Sequence, residues 1–76
     1  MSGDSKNPQI RSIEWDGKTI QVMQLVDRGW EGILYRREDT GDCILAYLQW
    51  HNGAYVEAFR PMISPELNDW LPGENA

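Results

Sequence analysis

The side chains in this chain that could do chemistry are few and far apart. Its single histidine, His51, and its single cysteine, Cys43, lie eight residues apart. A Cys–His nucleophile pair needs hydrogen-bond reach, and on one extended strand that spacing puts the two near opposite ends. Cys43 reads instead as a small buried hydrophobe and His51 as a solvated turn residue. Carboxylates gather at Glu14/Asp16 and at Glu38/Asp39/Asp42, both in turn-like sequence, where acidic residues serve local hydrogen bonds. The stretch Asp39-Thr40-Gly41-Asp42 lacks the ligand spacing of an EF-hand loop. Cys and His are too few for a structural zinc. The glycines are single and spread out, so no phosphate-cradling loop exists, and there is no Gly-x-Ser-x-Gly elbow. The expectation is a non-enzymatic protein with no catalytic, metal or cofactor site.

What remains is a mixture of aromatics and arginines. Tyr35, Arg36 and Arg37 fall on one strand-like run, Tyr47 and Trp50 on the next, and Tyr55, Phe59 and Arg60 on a third. Tyr35, Arg37, Tyr47, Trp50, Tyr55 and Arg60 are the candidate partner-binding residues. Two readings fit them. Aromatic faces flanked by cations are what a nucleic-acid-binding β-barrel uses to stack bases and track phosphates. Tyr, Trp and Arg are also the residues enriched in protein–protein hot spots. The charge decides between them. Twelve acidic residues against seven basic give −5, which opposes the counterion release that drives nucleic-acid binding. The expected partner is therefore another protein, met through exposed aromatics and an acidic surface, with nucleic acid as the second reading.

Size and composition bound the rest. A chain of 76 residues buries only ~60–65% of its unfolded surface, and one cysteine offers no disulfide to help. The eight aromatics, each burying ~150–250 Å², must supply much of the stability. Of the four tryptophans, two or three are expected in the core and the remainder at a binding surface. The polar start MSGDSKNPQ has no apolar stretch of the signal-peptide kind, and no apolar run is long enough to span a bilayer. With one unpaired cysteine, a reducing, cytoplasmic location is expected, with no membrane partner.

These residues are positioned by a regular series of turns. Gly17, Gly29, Gly41 and Gly53 lie twelve residues apart, each after a turn-compatible residue. Short strands with turn signals at 8–12-residue spacing indicate an all-β sandwich or barrel. Five strands are predicted, at about Gln9–Trp15, Thr19–Val26, Trp30–Arg37, Cys43–Trp50 and Ala54–Arg60. Asp16-Gly17 and Asn52-Gly53 predict two-residue type I′ turns. Those turns set Ile13 opposite Ile20, Trp50 opposite Tyr55, Leu48 opposite Glu57 and Tyr47 opposite Ala58. Directly opposed Asp39 and Asp42 would repel, so the third turn is predicted as a longer loop with Gly41 left-handed. Ile44 to Leu48 is apolar on both faces, as in a doubly covered strand. Gly32 inside the third strand predicts a bulge or bend. Pro61 should end the last strand. Ser64 at N-cap and Pro65 at N1 then predict a short helix whose Leu67/Trp70/Leu71 face must dock, because a helix under two turns does not persist alone.

The fold class is thus mainly β: a small five-stranded antiparallel meander curled into a partly open barrel, with one short C-terminal helix. Its general plan is shared by SH3-like and oligonucleotide-binding barrels. Residues 1–8 read as a disordered tail, 9–73 as one domain, and 74–76 as a frayed end. The functional expectation is a small binding or regulatory module.

Overall fold

The computed structural model describes residues 9–72; the tail expected over 1–8 and the frayed end over 74–76 lie outside them. Five antiparallel strands form a curled half-barrel in chain order: β1 (Ile10–Trp15), β2 (Lys18–Asp27), β3 (Ile33–Arg37), β4 (Cys43–His51) and β5 (Ala54–Pro61). A short helix, α1 (Glu66–Trp70), follows.

The two tight turns set the register. Asp16 and Gly17 have φ of 54° and 78°, and Asn52 and Gly53 have 51° and 85°, the paired positive values of a type I′ turn. Ile13 then faces Ile20, and Trp50, Leu48 and Tyr47 face Tyr55, Glu57 and Ala58, as the turn positions require. A β-branched residue at either glycine is strained although a Cβ there meets nothing within 4 Å. Gly17→Val and Gly53→Val should each cost about 1–3 kcal/mol. Parent-like urea melts for both would refute the turn assignment. The third turn is a loop in which Arg37 N–H donates to Asp42 C=O at 2.8 Å and Gly41 N–H to Arg37 C=O at 3.0 Å, with Gly41 at φ 83°.

The third strand starts later than its composition predicts. Residues Gly29–Glu31 form a 3-10 turn, so Trp30 and Glu31, expected in the strand, lie before it. Gly29 at φ 61° and Gly32 at φ 130° interrupt the extended run, and the Asp27 carboxylate accepts the Gly29 N–H at 2.8 Å. The turn lifts Trp30 out of the sheet. Curvature also comes from a bulge around Leu25, where the β2–β3 register shifts between Gln24 and Val26.

The curled sheet has a core on each side, as the two-faced apolar run in β4 requires. Ile44 and Ala46 point into the concave side with Ile13, Ile20, Val22 and Tyr35. Cys43 and Leu45 point outward and are covered with Leu34 by Met62 and Trp70. Leu67 and Leu71 pack at the margin of that outer core, so the helix docks on the sheet through its predicted face. Ser64, predicted as N-cap, does not serve as one. Pro65 is the capping residue, without a side-chain bond, because backbone carbonyls already satisfy the first amides: Leu67 N–H bonds Ile63 C=O and Asn68 N–H bonds Pro65 C=O, each at 3.0 Å.

β1 and β5 are the two edges of the sheet, and an arginine spans the seam between them. Arg11 Nη1 donates to Glu57 Oε2 at 2.8 Å, Nη2 pairs with Oε1, and Nη1 also reaches Tyr35 Oη at 3.0 Å. The guanidinium lies 5.6 Å from the ring centroids of both Tyr35 and Phe59. These bonds, the one from Glu57 foremost, hold Arg11 protonated even more firmly than an ordinary arginine.

Candidate functional site

The β4–β5 hairpin outruns the rest of the sheet. β3 pairs with β4 only as far as Ala46, whereas β4 and β5 stay paired to His51 and Ala54. Beyond Ala46 the hairpin therefore has one neighbour per strand, and side chains that would be core in a central strand face solvent. Leu48, Trp50, Tyr55 and Glu57 share its concave-side face, since Leu48 pairs with Glu57 and Trp50 with Tyr55. Trp30 reaches the Tyr55 ring from the 3-10 turn. The Trp50 and Tyr55 centroids are 5.0 Å apart at 75°, and those of Trp30 and Tyr55 are 6.1 Å apart at 58°. Trp30 is 81% exposed, Trp50 62%, Tyr55 60% and Leu48 45%. Single exposed hydrophobes are ordinary, but a contiguous group of large ones marks an interaction surface. Next to it, between the 3-10 turn and the hairpin, lies a cleft of ≈ 200 Å³ lined by Gly29, Gly32, Ile33, Ala46, Leu48 and Glu57, among others.

Of the six candidate residues, Trp50 and Tyr55 come together here and the other four are dispersed. Tyr35 is 4% exposed in the concave core, with its hydroxyl accepting from Arg11. Arg37 lies at the far end of β3 and is clamped by Asp39, with N–O distances of 2.9 and 2.7 Å. That clamp raises the Arg37 pKa and lowers that of Asp39. Tyr47 is half-buried against the outer core. Arg60, on the same outer face, holds Glu66 of the helix at 2.9 and 2.5 Å, which raises the Arg60 pKa and lowers that of Glu66. Sequence composition does not single out Trp30 or Leu48: it places Trp30 in a strand and Leu48 in a covered apolar run. A signal was present for Trp30, because glycines on either side at Gly29 and Gly32 are unusual within a strand.

Arginines on several elements are held by carboxylates: Arg11 by Glu57, Arg28 by Asp69, Arg37 by Asp39 and Arg60 by Glu66. The two exposed tryptophans are matched by two that pack. Trp15 lies at the margin of the concave core, and Trp70 is buried under the Arg28 guanidinium, 4.1 Å from its ring centroid.

Cys43 is free and buried, while His51 is exposed at the hairpin tip and contacts Asn52. Cys43 should resist a thiol reagent in the native state and react on unfolding; rapid labelling without denaturant would contradict that. Among the described residues, no group of three or more His, Cys, Asp or Glu side chains is gathered as metal ligands would be, and no helix is long and apolar enough to cross a membrane. No protein-family model, curated protein or solved structure matches this chain.

Proposed function

We propose that the chain is a small non-enzymatic binding or regulatory module that engages a partner protein through Trp30, Leu48, Trp50 and Tyr55. The observation that carries the reading is the packing of two exposed tryptophans, Trp50 on a hairpin that outruns its sheet and Trp30 on the neighbouring 3-10 turn, against the exposed Tyr55 ring. Aromatic anchors of this kind dominate the energetics of protein–protein contacts. Nucleic acid is the weaker reading, because a strand stacked on aromatics also needs cations along its backbone. Residues 47–59 contain no Lys or Arg, and most arginines elsewhere are paired with carboxylates. The lone cysteine fits a reducing compartment, the cytoplasm, as the place of action.

The test is a Trp30→Ala/Trp50→Ala double variant. Both side chains are mostly exposed, so the melt should stay within about 0.5 kcal/mol of the parent. Partner affinity should fall by about 2 kcal/mol or more, roughly 30-fold. A variant that still holds every partner retained by the parent from native lysate would sink the proposal. Binding to single-stranded oligonucleotides with a steep salt dependence would favour the nucleic-acid reading instead.

A further inference from the structure

This inference rests on the proposed docking face and names what sits on it. We infer that the exposed aromatic group receives the cationic side chain of a lysine or arginine from an extended basic segment of the partner protein.

Two observations lead there. The first is how the chain treats its other aromatics. Arg11 lies over Tyr35 and Phe59, and Arg28 lies over Trp70. Among the described residues no cation is stacked on Trp30, Trp50 or Tyr55. Their mutual angles of 58° and 75° matter here. A parallel stack would hide two whole ring faces, whereas an edge-on contact covers part of one, and the exposure of Trp30, Trp50 and Tyr55 leaves the remaining faces toward solvent. The negative potential of those faces attracts a cation, and most strongly for tryptophan.

The second observation is charge complementarity. The chain carries −5, and the projecting part of the hairpin, residues 47–59, holds no Lys or Arg. Beside the rings, Glu31 follows Trp30, while Glu57, on the Tyr55 face opposite Leu48, is already met by Arg11. Arg28, the basic residue of the adjoining loop, is held away by Asp69, with Nη2 donating to Asp69 C=O at 3.0 Å, and by the Trp70 ring. A basic partner is drawn in by the overall field. On arrival it finds aromatic faces with no competing cation. An apolar partner would gain contact with Leu48 and the rings, but nothing from the charge.

The test uses the intact chain and two probes: a short peptide alternating lysine with valine, and the same peptide with every lysine acetylated. Binding is followed through the indole N–H resonances at physiological salt. The lysine peptide should shift the Trp30 and Trp50 signals and leave Trp70 in place. It should bind about tenfold more tightly than the acetylated one, as cation–π contacts to more than one ring provide. In a Trp30→Leu/Trp50→Leu variant the net charge and apolar character persist while the indole faces are gone, so the preference should collapse, as read from the Tyr55 signals. Equal affinity of the two peptides overturns the inference, as does failure of the lysine peptide to bind. A preference that survives in the leucine variant overturns it too, by assigning the effect to net charge alone. Equal affinity at the patch leaves the docking face itself standing. Partner capture by the alanine double variant overturns that face as well.

Discussion

Trp70→Ala is expected to leave the domain largely unfolded or aggregating near physiological temperature. Trp70 is 8% exposed and closes the outer core over Leu34, Cys43, Leu45 and Met62. Truncating a packed tryptophan costs ~3–5 kcal/mol. A chain of 76 residues has only about 4–11 kcal/mol in total at ordinary stability per residue. The substitution also strips the ring from beneath Arg28. It removes the main anchor of a five-residue helix that has no means of persisting undocked. Deletion from Ser64 onward should do the same. Thermal melts followed by circular dichroism decide the matter. An unchanged melt would mean that the C-terminal segment is not structural and is itself a free binding motif.

Gly32→Ala is the second large effect, and its origin is different. Gly32 is buried with φ at 130°. A Cβ built on it would lie 2.8 Å from Ala46 O and 2.9 Å from Leu45 Cδ1. The leucine tip can move, but the Ala46 carbonyl belongs to the sheet backbone and cannot. Strain and overpacking together should cost about 2–4 kcal/mol. Gly29→Ala is the control. It also has positive φ, at 61°, but its Cβ meets nothing within 4 Å, so about 1 kcal/mol is expected from backbone strain alone. Urea unfolding of the pair separates the two contributions. Equal losses would show that the close approach of Gly32 to β4 is not a real constraint.

The contrast between these glycines shows what a sequence can carry. Asp16-Gly17 and Asn52-Gly53 encode both outer hairpins locally, and a turn of known type fixes every opposed pair in its strands. The doubly apolar run of β4 and the docking of Leu67, Trp70 and Leu71 were legible for the same reason: each follows from periodicity within a few residues. The segment around Trp30 was not. Its composition suits a strand, and only the sign of φ at Gly29 and Gly32 turns it into a 3-10 turn. The candidate site inherited that ambiguity. Trp50 and Tyr55 are legible because a tight turn places them opposite each other. Tyr35 went to the interior because sheet curl, which depends on the Leu25 bulge and on Gly32, decides which face of β3 is concave. Arg37 and Arg60 carry the right charge, but each meets a carboxylate within six residues along the chain.

The strand order has a consequence for how the chain reaches this state. Each strand pairs only with its neighbour in sequence, so every ladder closes a short loop. The entropic cost of bringing two segments together rises only with the logarithm of their separation, but it is lowest for such neighbours. No backbone pairing in this sheet has to wait for distant parts of the chain to find each other, the step that slows most β proteins. Long-range order is left to side chains: Arg11 reaches Glu57 across 46 positions, and Arg28 reaches Asp69 across 41. The sheet can thus zip outward from its turns, while the arginines register its two ends against each other.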